Sequence, residues 1–401
     1  MTAPRRFTEL AAAAAAAAFL LSWGLLHTGW YDDGEIVDTP VYSRYGAAME
    51  NGAVPYRDFR PEYPPGALPA FVVPALLSHD EAGFRDSFEW FMAAFGVATV
   101  LLAGVTLRGV GATRARTVAA LGLVAAFPLL LGSVVLTRFD LYPTALVVAA
   151  VAALVHERDR LGLGLLGAAV AVKLFPAVVV PVALAYTWRR RGRREALVCL
   201  AICAGVVALA FLPFLAVAPE GVARSIGHQL SRPLQIESLG SSLFLAAHHL
   251  TGLHVEMRSG HGSQNLHATG TAAAAALFSL VQIAVLAWIW LRRPSEKEEL
   301  LRWSAAALVA FVALGKVLSP QFLIWLAPTV PLVAGLRGLR ASVLLGAALV
   351  LTQLWFPSRY WDLARDLDAF PSTLVLLRDL SLVAVLVVLV RGRSGGLPRS
   401  Q

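Results

Sequence analysis

Apolar residues come in long blocks along this chain, and short polar, charge-bearing segments separate them. A membrane-crossing helix needs roughly 17–25 such residues. Ten blocks come within reach of that length: residues 8–27, 84–108, 115–133, 139–155, 196–217, 269–292, 300–316, 319–336, 341–356 and 372–391. Residues 64–78 are too short to cross. Residues 161–187 are long, but "KLFP" interrupts them midway. The pattern predicts an all-α polytopic membrane protein, with about ten to twelve membrane helices and re-entrant elements, formed by residues 1–401 as a single transmembrane domain.

Composition excludes a soluble globular chain: 57% of the 401 residues are hydrophobic and only 15% are charged. The net charge of +8 does not call for nucleic acid, because orienting membrane helices produces the same basic bias. Lys and Arg mark the cytoplasmic ends. They gather at Arg5–Arg6, Arg108, Arg114–Arg116 and in 156–160, 188–194, 291–302, 336–340 and 391–399. Both ends of 161–187 are therefore basic, which predicts two half-helices that dip in and return. The acidic stretch 78–89 likewise makes 64–78 re-entrant. Ten crossings then put both termini in the cytoplasm of a multi-pass plasma-membrane protein. The opening, with its basic front and no small-residue cleavage site, is expected to be an uncleaved first helix. Broken helices at membrane depth belong where they line a cavity. An outward-facing cavity is expected, roofed by a first loop over 28–65 and a second over 218–268.

Several motifs carry no chemistry. "GLGLLG" (162–167) follows no strand, so its glycines are expected to serve close helix packing. Cys199 and Cys203 are expected to pack. Six histidines in 218–268 lack a metal-ligand spacing and are expected to be solvated. Arg378 and Asp379, adjacent in the last helix, suggest a structural pair. Charges at membrane edges are costly and usually face a cavity or a partner. Asp38, Arg138, Asp140, Lys173, Arg232, Glu237 and Lys316 all fall at the outer edge. The first loop adds seven carboxylates against three arginines.

A lipid-phosphate-linked sugar would suit such a set. Cations neutralise the charge that grows on the leaving phosphate. A carboxylate on the opposite side of the anomeric carbon deprotonates the acceptor hydroxyl, and one displacement inverts that carbon. Tyr42, Tyr56, Tyr63 and Trp325 are candidates to stack on sugar faces. No metal or other cofactor is required for a monophosphate leaving group, and none is expected.

The motifs "DTPVY", "GAVPYRDF", "EYPPG", "TRFDLYP", "AVKLFP", "RPLQIESL" and "GKVLSPQFLIWLAP", in this order over roughly residues 30–335, resemble glycosyltransferase family 87. The resemblance implies a GT-C-like membrane enzyme that uses polyprenyl-phosphate mannose and passes the sugar to a lipid or glycan acceptor. It implies an essential acid early in the first outer loop, a place Asp38 matches; Asp32, Asp33 and Asp58 compete for it. Arg138 and Lys316 are expected on the donor phosphate, with Arg232 next and Lys173 after it. Glu237, Ser238 and Gln321 are expected on sugar hydroxyls, and Tyr42, Tyr63, Asp58 and Asp140 elsewhere in the substrate site. Tyr63–Pro64–Pro65 is expected to fix the turn into the re-entrant helix. Arabinofuranosyl or glucosyl donors fit the same residues. A transporter or flippase of a glycolipid is the rival from another class, though the chain's two halves show no convincing repeat.

Overall fold

Proline and charge decide where the apolar blocks stop. The computed structural model describes residues 2–32, 36–78 and 80–391. Its helices are α1 (Arg5–Leu25), α2 (Thr39–Glu50), α3 (Pro69–Leu76), α4 (Glu81–Gly109), α5 (Arg114–Leu131), α6 (Leu141–Val155), α7 (Asp159–Val172), α8 (Val180–Arg191) and α9 (Arg193–Val217). There follow α10 (Pro219–Leu230), α11 (Leu239–Thr251), α12 (Thr271–Trp290), α13 (Lys297–Ala313), α14 (Leu323–Leu326), α15 (Gly335–Gln353), α16 (Tyr360–Ala364) and α17 (Ala369–Val390). Among the described residues, seven helices are long and apolar enough to cross a membrane: α1, α4, α5, α9, α12, α15 and α17. The chain is an all-α polytopic membrane protein.

The other three expected crossings are shorter or broken. α6 has 15 residues and α13 has 17. The block 319–336 is not a helix. It consists of a 3-10 turn over Pro320–Phe322, the four-residue α14 and a second 3-10 turn over Val330–Leu332. Pro320, Pro328 and Pro331 each remove a backbone donor and crowd the preceding turn, so no continuous helix survives. The segment still runs the length of α5. Its first turn touches Ser133–Val135 beyond the end of α5. At the other end, Arg116 at the start of α5 donates to the carbonyl of Leu332.

The basic ends gather as the charge pattern predicts. Arg108 meets Glu9 at 3.1 Å, Arg116 meets Glu298, and Arg160 meets Glu195. The break in 161–187 falls at Lys173, whose backbone is extended, just before Pro176. α8 then returns to the start of α7, where Arg190 pairs with Glu157 and Arg191 with Asp159. α7 also packs closely on α9: a Cβ on Gly167 would lie 2.6 Å from the carbonyl oxygen of Cys203. That is the packing role expected of "GLGLLG", and both cysteines are buried.

At the opposite end lie the two segments expected to be loops, and both are structured. Residues 39–50 of the first form α2; the block next to it, 64–78, expected to be re-entrant, holds a 3-10 turn over Pro65–Ala67 followed by α3, which packs on α2 and α4. Residues 218–268 hold α10, α11 and an antiparallel hairpin of β1 (Glu256–Gly260) and β2 (Ser263–His267). Residues 234–236 join this hairpin. Ile236 N donates to Gln264 O, Leu266 N to Leu234 O, and Gln235 N to Lys316 O, all within 3.0 Å. α11 rests on α17, which also packs on α13 and α15, while α15 reaches α5.

Gly66 sets how closely the Tyr63–Gly66 turn approaches the α7 break. A Cβ there would sit 2.6 Å from the carbonyl carbon and oxygen of Ala171. Backbone atoms cannot move aside cheaply. Gly66→Ala should therefore lower the unfolding temperature of the purified protein. Gly122→Ala, where a Cβ meets nothing within 4 Å, should leave it unchanged or raise it. Equal unfolding temperatures for Gly66→Ala and wild type would contradict the packing.

Candidate active site

Three chain segments bring charge together at the end opposite the basic one. The first begins at Asp38, immediately before α2. The second links α5 to α6 through Thr137, Arg138, Phe139 and Asp140, all buried. Gly132, at φ 85°, ends α5 and lets the chain turn into this link. The third runs from Arg232 to Ser238, before α11.

Arg138 joins the first two. Its Nε lies 3.1 Å from Asp38 Oδ2, Nη1 donates to the Thr137 carbonyl and hydroxyl, and Nη2 donates to Ile36 O. The guanidinium side chain is only 5% exposed, against 33% for Asp38. The carboxylate is thus the accessible half of the pair. Tyr42 donates to Asp38 Oδ2 at 3.3 Å and lies 3.5 Å from Tyr63 Oη. Burial pushes both phenols well above the ordinary tyrosine range, so both stay protonated.

Two residues further on, Asp140 holds the α7 break. Its Oδ1 accepts from Lys173 Nζ and from the Trp325 indole, each at 2.6 Å. Lys173 also lies over the ring of Phe139, 4.6 Å from its centroid, with Trp325 and Tyr63 farther out. Asp140 has no exposure. Removing Lys173 would leave an uncompensated buried charge, the costly way to break such a pair.

The third segment is equally enclosed. Glu237 is buried, and Gln235 donates to its Oε2. Burial pushes its carboxyl up to about 7, against the opposing charges of Arg378, Arg232 and Arg138. Arg232 is half-buried and shifted down, mainly by its own burial, with Glu237 and Glu62 opposing. The Lys316 backbone carbonyl anchors Gln235, which brings "GKVLSPQ" to this segment.

Not every expected site residue joins. Asp58 closes its own turn: it accepts from Val54 N and pairs with Arg57, which holds its carboxyl at about 2. Ser238 caps α11 and donates to Gln235 O. Gln321 accepts from Ser319. Asp33 lies outside the described residues. The aromatics expected to stack on sugar are largely covered. Tyr42, Tyr56 and Trp325 are at most 5% exposed. Phe175 and Phe322 both stack on the Trp325 ring, at 3.9 and 4.1 Å, and Phe71 stacks on Tyr42. Tyr63 alone of the four keeps partial exposure.

The Glu237 shift has a sign. The folded protein holds this proton more tightly than the unfolded chain does, so the stabilising contribution is complete below the ordinary glutamate value of 4.5 and is lost as pH rises toward about 7. Between pH 5 and 8, the unfolding temperature of Glu237→Gln should fall less with rising pH than that of wild type. Parallel curves would contradict the burial argument.

The model of glycosyltransferase family 87 matches residues 62–320, more than half of the chain. The matched stretch includes Tyr63, Arg138, Asp140, Lys173, Arg232, Glu237, Ser238 and Lys316; Asp38, Tyr42 and Gln321 lie outside it. No curated protein matches the chain. With a match over more than half of its length and seven helices fit to cross a membrane, the chain belongs to glycosyltransferase family 87 and is a membrane glycosyltransferase.

Proposed function

We propose that this enzyme moves a sugar, mannose before arabinofuranose or glucose, from a polyprenyl-phosphate donor to a hydroxyl of a lipid or glycan acceptor, inverting the anomeric carbon. Residues 1–401 act as one GT-C-type unit in the plasma membrane, with the Asp38 end facing out. The observation that carries this reading is a carboxylate with a third of its side chain open, Asp38, held by a buried arginine from the "TRFD" link in a chain of this family. The family match favours transfer over glycolipid transport.

In this mechanism Asp38 takes the acceptor's proton as the acceptor oxygen attacks the anomeric carbon. The bond from that carbon to the phosphate oxygen breaks, and the electron pair leaves with the polyprenyl phosphate. Arg232 and Lys316 neutralise the charge that develops there. Arg138, whose Nε lies 3.1 Å from Asp38 Oδ2, sets the carboxylate, and its remaining N–H groups leave it a further candidate for the donor phosphate. Asp140 and Lys173 keep the α7 break and the "TRFD" link together beneath the site.

Membranes or purified protein, supplied with labelled polyprenyl-phosphate mannose and a panel of acceptors, test this directly. Asp38→Asn should keep donor binding and lose turnover by about 10²–10⁴-fold. Full turnover in Asp38→Asn would remove Asp38 from the role of base. Lys316→Gln and Arg232→Gln should weaken inhibition by free polyprenyl phosphate; unchanged inhibition would argue against phosphate contact.

A further inference from the structure

α17 carries two adjacent charges, Arg378 and Asp379, with no exposure at all. Charges inside a membrane helix are costly. A pair that serves only to hold the fold can often be exchanged for apolar residues without loss. The contacts of this pair go beyond each other. Arg378 Nε lies 2.7 Å from Asp379 Oδ1. Its Nη2 donates to the backbone carbonyl of Glu237 at 2.6 Å. Through Arg378 the pair therefore holds the chain just before the start of α11, at 237.

That grip bears on the site. Glu237 lies five residues beyond Arg232, and Gln235 between them donates from its backbone to Lys316 O. Fixing the Glu237 carbonyl sets the path of the whole 232–238 segment, and with it the two cations proposed for the donor phosphate. α17 itself lies beyond the stretch matched by the family.

We propose that Arg378 is a positioning residue for glycosyl transfer, acting through the Glu237 carbonyl to aim Arg232 and Lys316 at the donor; this rests on the donor-binding reading given above. A charge-assisted hydrogen bond to a buried carbonyl is among the stronger ones, and its loss lets the segment shift.

The experiment separates positioning from folding. In Arg378→Met/Asp379→Leu, both charges go and apolar bulk replaces them, so the unfolding temperature should stay close to wild type. The KM for labelled polyprenyl-phosphate mannose should nevertheless rise by about tenfold or more, with a smaller fall in kcat. Arg378→Lys, which keeps a donor, should recover part of that KM. A double variant of wild-type stability and wild-type KM would overturn the proposal. Should the double variant unfold, the neutral Arg378→Gln/Asp379→Asn decides instead: wild-type donor KM in a stable protein overturns the proposal, and a raised KM in a stable protein supports it. Arg232→Gln and Lys316→Gln are measured alongside. Unchanged donor KM in both would overturn the donor-binding reading itself, whereas raised KM in them with none in the double variant would overturn only the role of Arg378.

Discussion

A buried charge inside a helical bundle has to find its opposite, and four residues between α5 and α6 meet that demand twice. Arg138 reaches back to Asp38, and Asp140 reaches across to Lys173. Phe139 between them touches Tyr42, Tyr63 and Phe71 edge-on and carries the Lys173 ammonium on its face. Three distant parts of the chain are thereby tied to one link: the start of α2, the turn at Tyr63 and the α7 break. Removing Asp38 or Lys173 leaves Arg138 or Asp140 buried without its counter-charge, and that is why this link governs the local geometry.

The two pairs differ in exposure, and the difference separates their roles. Asp140 is sealed, with Lys173 and Trp325 both on one oxygen, so it can hold the architecture but cannot reach a substrate as it stands. Asp38 keeps a third of its side chain open. A carboxylate anchored on one side and open on the other is what a general base needs: fixed direction, and room for the hydroxyl it deprotonates. The 232–238 segment lies beside this, stitched to the hairpin and to Lys316 by backbone hydrogen bonds.

Much of the helical frame was legible because length and hydropathy are local properties. The Lys173 break was legible too, since a charge followed by Pro176 stops an apolar helix on sight. The block 319–336 was misread because hydropathy ignores proline, although its three prolines were in plain view. The fate of the aromatics was not readable. Whether Trp325 faces a sugar or is stacked by Phe175 depends on a residue 150 positions away in the chain. The same holds for the hairpin contacts of 234–236. The Arg378–Asp379 pair was evident from adjacency, but its hold on the Glu237 carbonyl, 141 residues earlier, was not. Asp58 shows the reverse: its neighbour Arg57 and the Val54 backbone N–H, four residues back in the same turn, explain it locally.

The central claim is a single displacement at the anomeric carbon, with one carboxylate at the acceptor's side. The anomeric configuration of the glycoside formed by the wild-type enzyme tests it most directly, read from the one-bond C–H coupling of the product by NMR against the configuration of the labelled polyprenyl-phosphate donor. A single displacement gives inversion. Retention of configuration would contradict it, because retention needs a second displacement and a covalent nucleophile.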